Sequence, residues 1–328
     1  MSINLAVVGA SGLVGETILK ILEERNIQYD TLVLFASKRS AGSKKVIGKE
    51  EHIILELTEE AIKNNPVDYV FFAASGDLSK QYSPVFVDSG ATVIDNTSQF
   101  RMDTSVPLVV PEVNPEAVYD KCRIIANPNC STIQSVLALK AIDDLFSLKR
   151  VIYTTYQSVS GSGYAGLNDL ENKVSENYPH AIHENILPHI DSFLDNGYTK
   201  EEMKMIEETQ KILGIDTLPV TATTARVPLP NTHAVSINVE CERSINLKRL
   251  KEAYKQFPGI ELRDNPMDNV YPLASEAQGC DDVFIGRIRE DYSVENGLNL
   301  WCVADNIRKG AASNSVDILQ LLLKERGI

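Results

Sequence analysis

The chain has 328 residues, 43% hydrophobic and 23% charged, which is enough apolar mass for about two packed domains and too much for global disorder. Its formal net charge of −13 excludes broad, non-specific binding to nucleic acid or an anionic membrane, but a small anion can still be held at one focused basic spot. No apolar run reaches the length of a membrane span and the opening MSINLAVVGASG lacks a basic region followed by a cleavage site, so a soluble cytoplasmic protein is expected.

Residues 3–9, INLAVVG, read as an apolar strand, and residues 16–26, ETILKILEERN, as a helix with Ile18, Leu19, Ile21 and Leu22 at helical spacing. Between them Gly9, Gly12 and Gly15 form G-x-x-G-x-x-G, which departs from the G-x-G-x-x-G dinucleotide fingerprint. The physics is similar: small residues admit a pyrophosphate close to the backbone, and a helix N-terminus offers N–H groups and partial positive charge. A tight turn without ligand is the alternative, and the strand–turn–helix context favours the dinucleotide. The second strand, residues 30–37, lacks the acidic residue that NAD-preferring proteins place near its end for the ribose 2′-hydroxyl. Residues 37–45, SKRSAGSKK, instead bring Lys38, Arg39, Lys44 and Lys45 with the hydroxyls of Ser37 and Ser40. That composition suits a 2′-phosphate, and hence NADP, over a merely solvated basic loop.

Further strands are expected at 68–74 (DYVFFAA), 92–98 (TVIDNTS) and 123–128 (RIIANP), separated by helices or loops, which argues for a doubly wound α/β sheet. Ligands in such sheets sit outside the carboxyl ends of strands, where the segments at 74–76, 96–101 and 127–132 lie. The last of these holds Cys130, followed by a helix over 131–146 with Ile133, Val136, Leu137, Ala141 and Leu145 on one side. Of the five cysteines, Cys122, Cys130, Cys241, Cys280 and Cys302, no two form a C-x-x-C pair and the count is odd, so neither a zinc knuckle nor a disulfide framework is expected. Most lone cysteines are small buried apolar residues. Cys130, at a helix start, is placed where N–H groups and the helix dipole lower a thiol pKa. Asn129 could add a donor toward an oxyanion or phosphate.

In the second half, residues 151–157 read as a strand ending at Gln157, beside a glycine-rich loop. Residues 199–213 form a helix with a capping box, Thr199 to Glu202, and put Glu201 and Lys204 on one face, alone no more than a solvated ion pair. The turn VPLPNT joins two strands and brings Arg226 and His233 to one end. His233 opens the strand HAVSINVE, with Val235, Ile237 and Val239 on its own face. By default it is a core-edge histidine, and Arg226 an ordinary strand-end arginine; a histidine that titrates near neutral pH can also move a proton. His180, His183 and His189 fall in a polar loop or helix without a firm metal-ligand pattern. An amphipathic helix over 313–327 closes the chain, with Gly327 as its C-cap.

Taken together, VVGASGLVG, SKRSAG, VIDNTSQFR, NPNCSTIQ, YQSVSGSG, RVPLPNTHAVS and DNIRKGAASNSV resemble the bacterial-type aspartate-semialdehyde dehydrogenase family nearly end to end, most specifically in the pairing of NPNCSTIQ with YQSVSGSG. The resemblance implies a Rossmann-like doubly wound dinucleotide-binding domain, residues 1–128 and 309–328, and an α+β catalytic and dimerisation domain, residues 129–308. It implies the reversible, phosphate-dependent oxidation of L-aspartate 4-semialdehyde to 4-phospho-L-aspartate with NADP, run reductively toward lysine, methionine and threonine, by a homodimer. Cys130 matches the family's nucleophile and thioester carrier, His233 its acid/base residue and Gln157 the residue orienting the substrate. Arg226 matches the grip on the substrate carboxylate, Glu201 the site of its ammonium, and Arg101 and Lys204, with Asn129, the phosphate site. Cofactor contacts are implied for Gly9, Ser11, Gly12, Leu13, Val14, Ser37, Arg39, Ser40, Ser160, Gly161 and Asn306, and no metal. The rivals are a reductase of a related acyl phosphate such as N-acetylglutamyl phosphate, against which Glu201 argues because an acetylated amine carries no charge, and an inert NADP-binding redox sensor.

Overall fold

The computed structural model of the chain describes residues 3–118 and 122–325. By internal contacts the chain divides into two units, Met1–Pro128 with Ala311–Ile328 and Asn129–Gly310. The return crossing lies between Gly310 and Ala311, against an expected 308/309.

The first unit begins with β1 (Asn4–Val8), α1 (Leu13–Glu24), β2 (Thr31–Ala36), β3 (Lys44–Ile47), β4 (Glu50–Glu56) and α2 (Glu59–Asn64). It continues through β5 (Tyr69–Phe72), α3 (Gly76–Asp88), β6 (Thr92–Asp95) and β7 (Ile124–Ala126). Its sheet has the order β3-β4-β2-β1-β5-β6-β7, parallel throughout except for the β3–β4 hairpin at one edge. Strand order reverses between β1 and β5, the switch point where α/β sheets bind ligands beyond the strand ends. The strands are apolar runs because both faces are covered: Leu5 and Val7 pack in one core with Ile18 and Leu22, Ala6 and Val8 in the other with Phe35 and Phe72. Helix α1 starts at Leu13, ahead of the expected Glu16. The hairpin replaces what reads in sequence as a basic loop. Its alternation is of Lys, Glu and β-branched residues on an edge, which carries little apolar signal.

The second unit contains α4 (Cys130–Phe146), β8 (Leu148–Gln157), α5 (Gly163–Asn172), α6 (Lys200–Leu213), β9 (Val220–Arg226), β10 (His233–Cys241) and α7 (Leu247–Gln256). After these come β11 (Ile260–Leu262), α8 (Ala274–Ala277), β12 (Val283–Asp291) and β13 (Gly297–Ala304). They build a mixed six-stranded sheet in the order β11-β12-β13-β10-β8-β9. Helix α4 is not the one-sided helix expected. Ser131, Gln134 and Ser135 are buried along with Ile133 and Leu137, while Leu145 is only half-buried. The reason is that α6, α7 and the sheet all pack against it.

Helix α9 (Ser313–Glu325) returns to the first unit, where Val316, Ile318, Leu319 and Leu322 join the core of Leu5 and Val7. The expected cap at Gly327 lies outside the described residues. Both parts of the expected fold class are thus present, a doubly wound α/β sheet and a mixed α+β unit. Among the described residues no helix is long and apolar enough to cross a membrane.

Candidate active site

Three adjacent strands of the second sheet bring three polar residues into one row. Gln157, the last residue of β8, is in register with Arg226 at the end of β9 and with His233 at the start of β10. Residues directly opposite on neighbouring strands share a face, and all three are buried. On the far side of β10, His233 is in register with Ala304 of β13, so Asn306 follows just beyond the sheet.

Helix α4 opens at Cys130, which is half-buried and capped by Asn129. The Asn129 Oδ1 accepts the N–H groups of Ser131 (2.9 Å) and Thr132 (3.3 Å). Its Nδ2 donates to Glu201 Oε1 at 2.9 Å, and its backbone N–H to Glu208 Oε2 at 2.6 Å. The carboxamide expected to face phosphate is therefore turned to hold the helix start against α6. A backbone approach fixes Cys130 from the other side: a Cβ on Gly310 would lie 2.8 Å from Cys130 Cβ. Gly310 sits in a π-turn, Arg308–Ala312, a backbone irregularity of the kind that clusters at functional sites. Among the other cysteines, burial pushes the thiols of Cys302 and Cys280 up and that of Cys241 up to about 12.

Glu201 ties the helix start to the strand row, since its Oε1 also accepts from Gln157 Nε2 at 3.1 Å. Burial alone would raise this carboxyl. The Lys204 charge, the bonds from Asn129 and Gln157 and the Arg226 charge outweigh it and hold Glu201 below the usual carboxylate range. Lys204 Nζ lies 3.3 Å from Glu201 Oε2 and 2.8 Å from Asp191 Oδ2.

Arg226 Nη1 donates to the Ser158 carbonyl at 2.7 Å, and its Nε is buried without a hydrogen-bond partner. The Tyr178 ring lies beneath the guanidinium, 6.0 Å from its carbon. Tyr178 is held in turn by its hydroxyl, which donates to Ser162 Oγ (2.9 Å), and by Asp169, which accepts its backbone N–H (2.9 Å). His233 Nδ1 accepts the Ser158 N–H at 3.1 Å, while its Nε2 is buried without a partner. Burial, and then the Arg226 charge, push His233 down to about 3. Gly161 lies over both residues: a Cβ there would be 2.7 Å from Arg226 Nη1 and 3.4 Å from His233 Nε2. The Asn306 carboxamide, expected on the cofactor, is turned inward. Its Oδ1 accepts from Ser158 Oγ (3.1 Å), Ser160 Oγ (3.2 Å) and the Thr232 N–H (2.9 Å).

In the first unit the strand ends carry a second, separate cluster. Gly9, at φ +84°, presses against the chain just past β5, where a Cβ would stand 2.2 Å from the Ala73 carbonyl oxygen. Gly12 precedes α1 and no side chain caps that helix, so its first N–H groups, next to Ser11, Leu13 and Val14, are not taken up by a capping side chain. Ser11 Oγ donates to Ser40 Oγ at 3.3 Å, which joins this turn to the loop after β2. There Ser37, Lys38 and Arg39 are exposed. Lys44 and Lys45 are not part of that exposed loop, although Lys45 Nζ reaches the Ala10 carbonyl of the glycine turn at 3.4 Å. They lie in β3, 2.8 Å from Glu51 and 2.6 Å from Glu16 respectively. A helix N-terminus without a cap, a glycine cradle and an exposed Ser-Lys-Arg loop fit the pyrophosphate and ribose end of a dinucleotide. Arg101 is buried, with Nε on the Asn127 carbonyl and Nη2 on the Asn96 carbonyl, both at 2.9 Å. Asp95, raised by its burial, accepts from Ser79 and Thr97 and shapes the turn that carries Arg101.

Family models for the NAD binding domain and the dimerisation domain of semialdehyde dehydrogenases match residues 4–121 and 139–309. The chain is 48% identical, over 99% of both chains, to the aspartate-semialdehyde dehydrogenase of Aquifex aeolicus. The chain belongs to the aspartate-semialdehyde dehydrogenase family. It is also 44% identical to the Bacillus subtilis aspartate-semialdehyde dehydrogenase over 98% of both chains. Its structure matches that of aspartate semialdehyde dehydrogenase II from Vibrio cholerae with a TM-score of 0.93, at 43% identity over 99% of each chain, and another structure of that enzyme is complexed with ASA.

As a member of the aspartate-semialdehyde dehydrogenase family the chain is an oxidoreductase. Sequence reasoning missed Ser158, Tyr178, Glu208, Thr232 and Gly310. Glu208 was within reach, because it lies two helical turns from Glu201 on the same face. Nothing local marks Tyr178 or Gly310. The histidine segment gathers no site: His189 stacks on Phe193 and His183 lies 3.5 Å from Glu184, and no group of three or more potential metal ligands occurs among the described residues.

Proposed function

We propose that the protein catalyses the reversible, NADP- and phosphate-dependent oxidation of L-aspartate 4-semialdehyde to 4-phospho-L-aspartate through a thioester on Cys130, running reductively in lysine, methionine and threonine biosynthesis. The observation that carries this reading is the buried Gln157–Arg226–His233 row, in which Arg226 Nε and His233 Nε2 lack protein partners. Buried polar atoms without partners are costly, and a substrate that supplies the missing acceptors accounts for them.

Cys130 attacks the aldehyde carbon as a thiolate, stabilised by the N-terminal N–H groups of α4. Arg226 binds the substrate carboxylate, Glu201 faces its ammonium, and Gln157 orients the reacting carbonyl. Phosphate binds to Lys204, drawing it from Asp191, and to Arg101; Asn129 acts by positioning Glu201 and the helix start. NADP is held by Gly9, Ser11, Gly12, Leu13, Val14, Ser37, Arg39 and Ser40, with Ser160 and Gly161 toward its nicotinamide and Asn306 shaping that loop. When bound, the cofactor supplies the hydride acceptor. A homodimer fits the exposed face of the second sheet, where Ala234, Ser236, Tyr156 and Trp301 line an apolar cavity of about 610 Å³ while Val235 and Ile237 are buried on the other side.

The test is NADPH formation from aspartate semialdehyde with and without phosphate. Strong phosphate dependence and near-total loss in Cys130→Ala are expected. If Cys130→Ala keeps most of the activity, the thioester route is wrong.

A further inference from the structure

The segment of residues 174–187 carries two of the unassigned histidines, His180 and His183, yet what it reaches is Arg226. It leaves α5 through Lys173, which is left-handed at φ +55° and turns the chain back along the helix. Asp169, a buried carboxylate of α5, then accepts three successive backbone N–H groups, from Glu176 (3.1 Å), Asn177 (2.9 Å) and Tyr178 (2.9 Å). At its other end the segment pairs with β9. The Leu187 N–H donates to the Arg226 carbonyl at 2.9 Å, and the Arg226 N–H donates to the Leu187 carbonyl at 2.8 Å. Between these two fastenings, Ile182 and Leu187 pack in a small apolar cluster with Val159 and Tyr178.

The guanidinium is boxed by these contacts. Its Nη1 donates to the Ser158 carbonyl at 2.7 Å, Gly161 crowds the same nitrogen, and the Tyr178 ring borders its carbon at 6.0 Å. The Tyr178 hydroxyl donates to Ser162 Oγ at 2.9 Å, so that residue is tied by its backbone to Asp169 and by its tip to Ser162. What stays open is one edge of the guanidinium. Nε is buried without a hydrogen-bond partner, and no bond engages Nη2 among the described residues. Two neighbouring N–H groups on one guanidinium edge match the two oxygens of a carboxylate. Arginine is long and rich in rotamers, and a ligand that finds the edge already fixed does not have to order it.

We propose that Asp169 and Tyr178 are positioning residues for Arg226: Asp169 staples the segment to α5, the Tyr178 ring holds the guanidinium, and the open Nε–Nη2 edge is thereby set for the substrate carboxylate. Part of the affinity for a substrate bearing that carboxylate then comes from residues that never touch it. The role toward substrate rests on the proposed function; the immobilisation of Arg226 does not.

Nitrogen-15 NMR of arginine-labelled protein follows the Arg226 Nε–H, identified by its absence in Arg226→Lys. A resolved signal, apart from those of exposed arginines, is expected in wild type and in Tyr178→Phe, which keeps the ring. In Tyr178→Leu, and in Asp169→Asn, which sets an amide N–H₂ among N–H donors, the signal is expected to collapse toward the exposed arginines. A wild-type signal indistinguishable from exposed arginines, or one unchanged in both of these variants, overturns the inference whatever substrate the enzyme takes. In steady-state kinetics Tyr178→Leu and Asp169→Asn are each expected to raise KM for aspartate semialdehyde about fivefold, while KM for phosphate and for NADP stays within about twofold. An unchanged KM for aspartate semialdehyde, a joint rise of all three, or a Tyr178→Phe as impaired as Tyr178→Leu overturns the positioning role. If wild type does not act on aspartate semialdehyde and the Arg226 signal still responds to both variants, the proposed function fails and the immobilisation of Arg226 stands.

Discussion

Glu208 accepts the backbone N–H of Asn129 at 2.6 Å, one residue before Cys130. A buried carboxylate on α6 thus anchors the start of α4 by its main chain, while Glu201, seven residues earlier, anchors the same residue by its side chain. In Glu208→Ala the Asn129 N–H loses a buried acceptor, which costs about 1–3 kcal/mol. Denaturant titration is expected to show a loss of that order, with Glu208→Gln losing less because an amide oxygen still accepts. Equal losses in the two variants would assign the effect to packing.

Gly310 meets Cys130 without a side chain. A Cβ there would lie 2.8 Å from Cys130 Cβ and 3.2 Å from its Cα, neither of which is a flexible end that can swing aside. In Gly310→Ala the Cys130 thiol must shift, and for the proposed nucleophile a misplacement near 1 Å costs on the order of 10²-fold in rate. The expected result is a large fall in kcat together with slower alkylation of Cys130. Unchanged alkylation would show that the thiol had not moved.

Arg39 is exposed beside Ser37 and Ser40, whereas Lys45 is held by Glu16 at 2.6 Å. Arg39→Asp should therefore raise KM for NADP more than KM for NAD, and Lys45→Ala should leave the ratio of the two unchanged. Steady-state kinetics with both nucleotides decide it. Equal weakening of both by Arg39→Asp would remove Arg39 from the 2′-phosphate site.

His233 gives the protein an acid-side instability. Its pKa is about 3 in the fold against an ordinary 6.5, so between those values the unfolded chain binds the extra proton and stability falls as pH falls. Glu201 is held below its ordinary 4.5, so its contribution is complete above that pH and is lost only as pH drops below it. From pH 6.5 down to about 5, His233 acts and Glu201 does not. Denaturation midpoints at pH 7.5, 6.5 and 5.5 should decline more in wild type than in His233→Gln. Parallel declines would mean that His233 is not buried in neutral form.

Much of the first unit was legible because its strands are buried on both faces. Uninterrupted apolar runs such as YVFF then need no partner to be recognised, and the glycine turn and α1 follow in local order. The β3–β4 hairpin was not legible, because an edge strand carries Lys and Glu that look like loop. In the second unit the capping box of α6 and the alternation of β10 were local signals and are present as expected. The one-sided character expected of α4 was not, because the burial of residues 131–139 all round comes from three neighbours remote in sequence.

Sequence alone determined the chemical inventory: a thiol at a helix start, a glycine-rich turn between strand and helix, and Gln157, Arg226 and His233 at strand ends. These depend on neighbours a few residues away, within the range of propensity and periodicity. Tertiary structure alone decided how the inventory is arranged. The pairing of β8 with both β9 and β10 aligns Gln157, Arg226 and His233, and α6 meets the start of α4 so that the Asn129 carboxamide turns to Glu201. Ser158 and Asn306 converge on His233 from positions 75 residues before and 73 after it. Register and hydrogen-bond direction arise from contacts between distant segments, outside the reach of local propensity and periodicity.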